Sequence, residues 1–458
     1  MKIKIFAVAL ITIIFLSFFS NIVISKAESH TNNFNTPHFL ENAWLRECNG
    51  VNVLYVNGSH YEMGYQHGFL LKYECQQNIR AVIYFGTRMG YSFAQLVDIW
   101  NTMAEYVPLD YIEEMQGLAD GAGVSFNEIA AAYTTFDCLS LMNCFGIAAW
   151  GPATLSDKLI HGRSVDIPFI IKDPITEKYA YENSVLTVRN PDNDFSSLVP
   201  TVAGILNLGG GINEKGIGLS CQISWSKDQT LSGLPLKIKL QMVIDKASTA
   251  NEAINIVNTS KTMGFTFIIS DSKIPIGYAV ETTSNLSYIG TWDDPIESKY
   301  PFWSINNVVR RTNLFIDPEA AATQRSRYNP GGFIGLLKGF FSLRAILSNK
   351  GNFTMFTLNS VFPIWWNYNA MSKEIEEKRG TLDLENTMLM LRNVYNGETN
   401  RFLKMLTKLV KGYGFLESWN QWVACPETGD MLVSFASDNK YASKNPVHQF
   451  NLFELLNS

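Results

Sequence analysis

The chain opens on its longest apolar stretch. Ile5 to Ser25 is almost wholly hydrophobic, behind a positive start at Met1-Lys2-Ile3-Lys4 and before a small-residue exit at Ser25-Lys26-Ala27. This order predicts a secretory signal, residues 1–27, removed near Ala27. The run is also long enough to act as a retained N-terminal anchor. From residue 28 to residue 143 the spacing of apolar positions is helical. One amphipathic stretch begins at Tyr61 and reaches Tyr84; others run from Phe93 to Tyr106, Leu109 to Leu118 and Phe126 to Phe136, the last with Ser125 as its N-cap. His60 and His67 lie seven apart in this region, a spacing that ordinary helix packing explains.

From Cys144 the pattern changes to short strands and turns. Strands are predicted over Ser184 to Arg189, Gly216 to Ser224, Phe265 to Ser270 and Ile276 to Thr282, with helices from Leu240 to Ala247 and Ala250 to Val257. Gly209-Gly210-Gly211-Ile212-Asn213-Glu214-Lys215-Gly216 is rich in glycine, but it lacks the P-loop pattern and strand residues follow it, so it reads as a tight hairpin. A last strand pair, Trp419 to Pro426 and Met431 to Ser437, is joined by Glu427-Thr428-Gly429-Asp430. Helices, strands, helices and strands in that order predict an α+β fold.

Composition removes several classes. With 37 Lys and Arg against 42 Asp and Glu there is no basic block and no aromatic–basic interleaving, which argues against a nucleic-acid partner. Cys48, Cys75, Cys138, Cys144, Cys221 and Cys425 are too sparse for a disulfide-built scaffold; Cys48 with Cys75 is one conceivable bridge, and spacing does not decide it. None sits in a CxxC or Cys/His pattern, so a zinc site is not expected; neither of the function classes reached below requires a metal or an organic cofactor. Asn57, Asn258, Asn285 and Asn352 each begin an Asn-x-Ser/Thr acceptor, as suits a secreted glycoprotein. Phe302-Trp303 and Phe362-Pro363-Ile364-Trp365-Trp366 are read as core packing or as the wall of an acyl pocket. Gly331 to Ser348, apolar with Lys338 and Arg344, is read as packed core or as a lid.

The candidate chemistry lies at the pattern change. Asn143-Cys144-Phe145-Gly146-Ile147-Ala148-Ala149-Trp150-Gly151 leads into a turn at Leu155-Ser156-Asp157-Lys158 and returns as Leu159-Ile160-His161-Gly162-Arg163-Ser164-Val165-Asp166. Such a hairpin brings a cation and a carboxylate back beside a thiol. The thiolate is the nucleophile, and a neighbouring arginine favours it. Cys138 is a weaker rival: it falls at a helix end and has no hairpin after it.

Cys144 through Asp166 resembles the nucleophile hairpin of the autoproteolytic acyltransferase/hydrolase family typified by penicillin acyltransferase, within the N-terminal nucleophile hydrolases. Choloylglycine hydrolases, penicillin V acylases and acid ceramidase are more distant relatives of that group. The resemblance rests on the cysteine, Trp150-Gly151 and Gly162-Arg163-Ser164-Val165-Asp166. It also rests on Tyr61-Glu62-Met63-Gly64-Tyr65-Gln66-His67-Gly68, Gly211-Ile212-Asn213-Glu214-Lys215-Gly216 and Arg311-Thr312-Asn313-Leu314-Phe315-Ile316-Asp317-Pro318. It implies a four-layer αββα sandwich, with cleavage of the Asn143–Cys144 bond by Cys144 itself. The products would be a helical chain, 28–143, and a catalytic chain, 144–458. The freed α-amine would serve as the base, Arg163 would favour the thiolate, and Asp166 would hold the amine. Asn313 would donate to the oxyanion, while Arg327 and Trp150 would contact substrate. Phe145 stands where the family commonly has Ser or Thr, and Leu314 where it usually has His.

The expected activity is therefore that of a secreted, self-processing cysteine amidohydrolase or acyltransferase, acting on small N-acyl substrates through a thioester on Cys144. Its cleaved N-terminal chain would remain as a bound subunit. An ester or lipid hydrolase resembling the phospholipase B-like proteins, and a non-catalytic secreted binding protein, are the alternatives.

Overall fold

Asn49-Gly50 turns the chain back on itself in two residues, both at positive φ (54° and 79°). Strand β1 (Trp44–Cys48) reverses there into β2 (Val51–Gly58). The computed structural model describes residues 40–138, 143–167, 170–300, 302–324, 364–396 and 418–458. Asn42–Ser458 forms one compact unit and is the body considered below. The region before residue 143 is thus not wholly helical, as its spacing suggested. Val51-Asn-Val-Leu-Tyr-Val is a β run, and Asn-Gly is a strong hairpin signal.

Five helices follow: α1 (His60–Leu70), α2 (Lys72–Arg88), α3 (Phe93–Ala104), α4 (Leu109–Ala122) and α5 (Phe126–Cys138). The stretch expected as one helix from Tyr61 to Tyr84 is broken at Leu71, whose ψ of 36° leaves the helical range. Ser125 caps α5: its hydroxyl accepts from Glu128 N, and Glu128 reaches back to Ser125 N.

Strands β3 (Asn143–Gly151), β4 (Asp157–Asp166), β5 (Ser184–Pro191), β6 (Ser197–Val202), β7 (Gly210–Asn213) and β8 (Ile217–Ile223) come next. Helices α6 (Leu236–Lys246) and α7 (Ala250–Asn258) precede β9 (Phe265–Asp271), β10 (Ile276–Thr282), β11 (Ser287–Gly290) and β12 (Val308–Arg311). The remainder is α8 (Pro318–Thr323), α9 (Ile364–Lys378), α10 (Leu384–Asn396), β13 (Ser418–Cys425), β14 (Asp430–Phe435), β15 (His448–Asn451) and α11 (Leu452–Leu456).

The fold is mixed α and β, with two sheets. One has nine strands, in the order β1-β2-β5-β6-β7-β8-β9-β10-β11; the other has six, β12-β3-β4-β13-β14-β15. Alternation sorts the side chains. On β8 and β9, Leu219, Cys221, Phe265 and Phe267 pack with the N-terminal helices and α6. Ile268 turns the other way, to Ala148 and Trp150 of the six-stranded sheet. On that sheet Phe145, Ile147 and Ala149 pack with Met371, Leu391 and Val394 of α9 and α10.

Helices α1 and α4 touch backbone to backbone. A Cβ on Gly64 would lie 2.0 Å from Glu114 O, and one on Gly117 would lie 2.1 Å from Tyr61 O. Gly68 and Gly121 meet the partner helix in the same way, at 2.4 Å and 2.2 Å. Small residues four apart on both helices permit this approach.

Beside that contact lies a buried ionic cluster. Glu114 of α4 takes His60 Nδ1 (2.6 Å) and Arg189 of β5 (Nη2, 3.0 Å). His60 Nε2 meets Asp194 (3.0 Å), which Lys246 of α6 also reaches (3.0 Å). Asp245 takes Arg189 at 3.4 Å and the Tyr111 hydroxyl at 3.2 Å. Burial opposes the charge on His60, but hydrogen bonds to Asp194 and Glu114 outweigh it and push its pKa up to about 9. Glu114 is held down to about 2: burial acts against ionisation, and Arg189 and His60 prevail. His60, Asp194 and Asp245 have ligand atoms within 4.8 Å of one another, as a metal would need. Protonated His60, Arg189 and Lys246 already supply the positive charge those carboxylates require.

Two measurements test these contacts. Gly117→Ala forces a methyl into the Tyr61 carbonyl and should lower unfolding stability by about 3 kcal/mol in denaturant titration. The His60 contribution is complete below its unfolded pKa of about 6.5 and disappears as pH rises through about 9. Stability should thus fall by about 3 kcal/mol across that window, and His60→Gln should flatten the dependence.

Candidate active site

Strand β3 sends Cys144, Gly146, Ala148 and Trp150 to the face opposite Phe145, Ile147 and Ala149. A Cβ at Gly146 would meet Ser220 Oγ and Gln222 Nε2 of β8, each at 2.8 Å, so this face looks onto the nine-stranded sheet. The antiparallel register pairs Cys144 with Val165 and Gly146 with Arg163. Arg163 therefore stands diagonally beside Cys144 on the same face. Its Nη2 donates to Cys144 Sγ at 3.3 Å, and its Nη1 donates to Gly209 O. Both residues are buried, the cysteine at 0% exposure and the arginine at 1%.

The seat of the guanidinium is a glycine for a steric reason. A Cβ on Gly209 would fall 2.6 Å from Arg163 Cζ. The expected hairpin at Gly209–Gly216 forms as β7 and β8, and residues 207–210 leading into it hold the arginine. The signal for this role was present as three consecutive glycines, but the sequence reading did not assign it.

Asn313 reaches the same residue from the other side. Strand β12 pairs Val308–Arg311 with Ala149–Gly146 and then ends. Extending that register by two residues places Asn313 opposite Cys144, where its side chain replaces the missing ladder bond. Cys144 N donates to Asn313 Oδ1 at 2.7 Å, and Asn313 Nδ2 donates to Ile223 O at 2.7 Å. The loop is pinned from outside: Glu281 accepts Arg311 Nε (2.8 Å), Ile316 N (3.0 Å) and Asp317 N (3.0 Å), and Gln324 Nε2 donates to Asn313 O (3.0 Å). The sequence reading also passed over Glu281, although a lone carboxylate inside the apolar run of β10 marks an inward charge that needs partners.

Asp166 lies opposite Asn143 in the hairpin register. Its Oδ1 accepts from Ser164 Oγ at 2.9 Å, and Gln421 Nε2 donates to that hydroxyl at 3.2 Å. Burial pushes the Cys144 thiol pKa up; the Arg163 charge opposes this, the Asp166 charge adds to it, and the Asp166 backbone N–H favours the thiolate. In the intact chain the balance keeps the sulfur protonated near neutral pH.

His161 is no base for this thiol. It pairs with Ala148, four residues along β3, and sits between Ser270 Oγ (2.8 Å) and Ser220 Oγ (2.9 Å), stacked on Trp422. Burial and Arg163 pull its pKa down to about 3, so it is neutral. His67 accepts from Gly204 N (3.0 Å) and is likewise held neutral by burial, at about 4.

The structure thus gathers Cys144, Arg163, Asp166 and Asn313, and it leaves Trp150 apart. Trp150 lies six residues from the cysteine, packed with Ala148, Leu159, Ile268, Ala279 and Val309, and a Cβ on Gly277 would meet its ring at 2.9 Å. Its indole fills the space between the sheets rather than a pocket at the thiol. Arg327, Asn352, Phe362-Pro363 and Gly331 to Ser348 lie outside the described residues. Phe302 and Trp303 pack with Tyr368, and Arg310 lies over the Trp303 and Tyr368 rings. All six cysteines are free, and Cys48 and Cys75 belong to separate apolar clusters, so they form no bridge. Among the acceptor sites, Asn285 is exposed with Nδ2 on Asp228 Oδ1, whereas Asn57 and Asn258 are half-buried and accept from Gln66 and Ser287. Among the described residues no helix is long and apolar enough to cross a membrane.

The site is a buried thiol whose own nitrogen and sulfur are each held by a different side chain, in a mixed α/β fold with two sheets. No family model matches the chain. It is 25% identical over 259 residues to an uncharacterized protein of Archaeoglobus fulgidus, covering 49% of this chain and 42% of that protein. It is 24% identical over 307 residues to protein dcd1A of Dictyostelium discoideum, covering 59% and 66%, and 24% identical over 243 residues to protein dcd1B, covering 47% of each. The chain spans about half the length of the curated relatives it matches.

Similarity to solved structures is distant. Penicillin V acylase from Agrobacterium tumefaciens has a TM-score of 0.37 at 12% identity, covering 68% of this chain and 87% of that one. A point mutant of conjugated bile acid hydrolase from Clostridium perfringens has 0.32 at 15%, covering 67% and 96%. The Caenorhabditis elegans ortholog of N-acylethanolamine-hydrolyzing acid amidase has 0.33 at 12%, covering 67% and 99%.

Gly209→Ala tests the seat of the arginine. The added methyl should displace the guanidinium and raise the thiol midpoint by about one pH unit. Thiolate absorbance near 240 nm, taken as the difference from Cys144→Ala, reads this directly.

Proposed function

We propose that the chain is a self-processing cysteine amidohydrolase or acyltransferase of the N-terminal nucleophile type, which cuts its own Asn143–Cys144 bond and then acts on N-acyl substrates. One observation carries this reading. The backbone nitrogen of Cys144 rests on Asn313 Oδ1 at 2.7 Å while its sulfur takes the Arg163 guanidinium at 3.3 Å. A buried strand nitrogen needs an acceptor in any case, but a structural cysteine needs no guanidinium on its sulfur. A residue that is to present an amine and a thiol to one substrate needs both.

In the proposed first step Cys144 Sγ attacks the Asn143 carbonyl carbon, and the C–N bond to Cys144 breaks. The resulting ester on sulfur is hydrolysed, which frees Asn143 as a carboxylate and Cys144 as an α-amine. An α-amino group titrates at roughly 7.7–8.0 in the unperturbed state, so it can take the thiol proton near neutral pH. Asn313 Oδ1 would then hold that amine, with the Asp166 carboxylate near it. This shifts the emphasis for Asn313. Its amide carbonyl holds the nitrogen, and the oxyanion role implied by the resemblance is secondary to that contact.

With an N-acyl amide bound, the thiolate attacks the acyl carbon, the amine leaves with a proton from the α-ammonium, and a thioester remains on Cys144. Water completes hydrolysis; a second amine completes transfer. Arg163 stays beside the sulfur throughout and offsets its charge. Secretion, the N-linked glycans and retention of the cut N-terminal chain as a subunit belong to the same proposal. So does the αββα layering. An ester substrate of the phospholipase B-like kind would use the same thioester.

Intact mass and N-terminal sequencing of purified protein test the reading. The wild type should give two chains, one beginning at Cys144, and should turn over fluorogenic N-acyl amides. Cys144→Ala should give one chain and no turnover, and Asn313→Ala should slow both steps by about 10²–10³. A wild-type chain that stays uncut and inert would instead favour a binding role.

A further inference from the structure

The carbonyl that carries Arg163 is not fixed by the hairpin alone. Gly209 N and Gly210 N both donate to Asn207 Oδ1, at 3.1 Å and 2.6 Å. Asn207 Nδ2 donates to Gln241 Oε1 at 3.2 Å, and Gln241 Nε2 donates to Asp245 Oδ1 at 2.6 Å. Asp245 is the carboxylate of the ionic cluster that takes Tyr111 and Arg189, and Arg189 rests on Glu114. Tyr111 and Glu114 belong to α4, a helix of the N-terminal segment. A second tie runs from Leu206 N to Tyr133 Oη of α5 at 2.9 Å.

We propose that Asn207 and Gln241 are positioning residues: they make the hold of Arg163 on the Cys144 thiol conditional on the docking of the N-terminal helices. The chemistry of the amides gives the chain one direction. Two backbone N–H groups face Asn207, so its oxygen must point to them and its nitrogen away. A carboxylate faces Gln241, so its nitrogen must point there and its oxygen to Asn207. Each donor in the series therefore points toward Asp245, the arrangement in which buried hydrogen bonds polarise one another. Neither amide is exposed. Apolar residues of similar size would avoid the cost of burying two amides at this place. Lys237 Nζ, donating to Leu208 O at 2.6 Å, braces the same loop from α6.

The functional consequence rests on the reading of Cys144 as the nucleophile, but the link itself is measurable without any substrate. Charged and titratable groups facing the thiol are Arg163 and Asp166 of β4, Cys221 of β8 and Lys237 of α6. Gln241→Met severs the link and leaves all of these in place. Asn207→Ser severs it one step earlier and keeps a hydroxyl acceptor for the glycine N–H groups. Gln241→Glu restores it, because adjacent carboxylates share a proton and the shared proton replaces the lost donor.

The experiment is a pH titration of the Cys144 13Cβ resonance in the purified protein labelled at cysteine, with wild type and variants compared in the same cut or uncut state as read by intact mass, and the resonance assigned by its loss in Cys144→Ala. Each variant is first checked for a cooperative melt. Gln241→Met and Asn207→Ser should raise the thiol midpoint by about one pH unit, a tenfold loss of thiolate at a given pH, with Gln241→Glu close to wild type. Where N-acyl amide turnover is present, kcat should fall in parallel with the thiolate, while KM stays within about twofold of wild type. A wild-type midpoint in either folded variant overturns the proposal. A shifted midpoint in a protein that turns over no N-acyl amide overturns the proposed function and leaves the link standing.

Discussion

A guanidinium closed between two sheets is the constraint on which the rest of this molecule turns. An uncompensated charge inside a protein costs several kcal/mol. Arg163 is at most 1% exposed, so its surroundings must supply acceptors. They are one carbonyl, Gly209 O, and one sulfur, Cys144 Sγ. The space comes from glycine. Gly209 admits the guanidinium, and Gly218 admits the His161 ring between Ser220 and Ser270. The inter-sheet layer is consequently polar in the middle and apolar at its ends. Trp422 and Val188 belong to one apolar cluster and Trp150 and Ile268 to the other. A thiol in such a seam is kept from bulk water and faces a fixed cation, two conditions that seldom coincide on a surface.

A second constraint acts where the N-terminal helices meet the sheet. Backbone contact between α1 and α4 leaves no room for side chains at Gly64, Gly68, Gly117 and Gly121, and the chain places its charges just beyond that contact. His60 and Glu114 on the helical side face Arg189, Asp194 and Asp245 on the other. Charges this well buried are worth little against an apolar alternative but are expensive to separate. The arrangement favours one docking geometry over any sliding of the helices, and that geometry sets where Tyr111, Tyr133 and Asp245 present themselves to the loop beneath Arg163.

Much of this was legible in residue order, and the reasons differ from case to case. The hairpin from Cys144 to Asp166 was readable because an apolar run, a Ser-Asp-Lys turn and a return run are local signals, and strand alternation then fixes which residues share a face. The Ser125 cap and the turn before β8 were readable for the same reason. The β1–β2 hairpin was written just as clearly, in Asn49-Gly50 between alternating residues, but the helical periodicity that follows it dominated the reading. The paired Gly-x-x-x-Gly spacings were present too, yet their meaning depends on two helices meeting, which spacing within one helix does not reveal. Trp150 shows the opposite error: an aromatic near a nucleophile in sequence lies six residues up an extended strand, and so some distance from it. The Asn207–Gln241–Asp245 series could not have been read at all, since Asn207 lies far along the chain from the other two and each is unremarkable alone.

Asn313 stands in for a strand. Strand β12 ends at Arg311, and a side-chain carbonyl supplies the one further bond at the level of Cys144. The β12–β3 ladder thus engages only residues on the far side of Cys144 from the Asn143 peptide. A break at that peptide would remove no rung between these two strands. The new chain end would appear at a selvage already bound off, much as a woven edge can be cut beside its finishing stitch without unravelling the cloth.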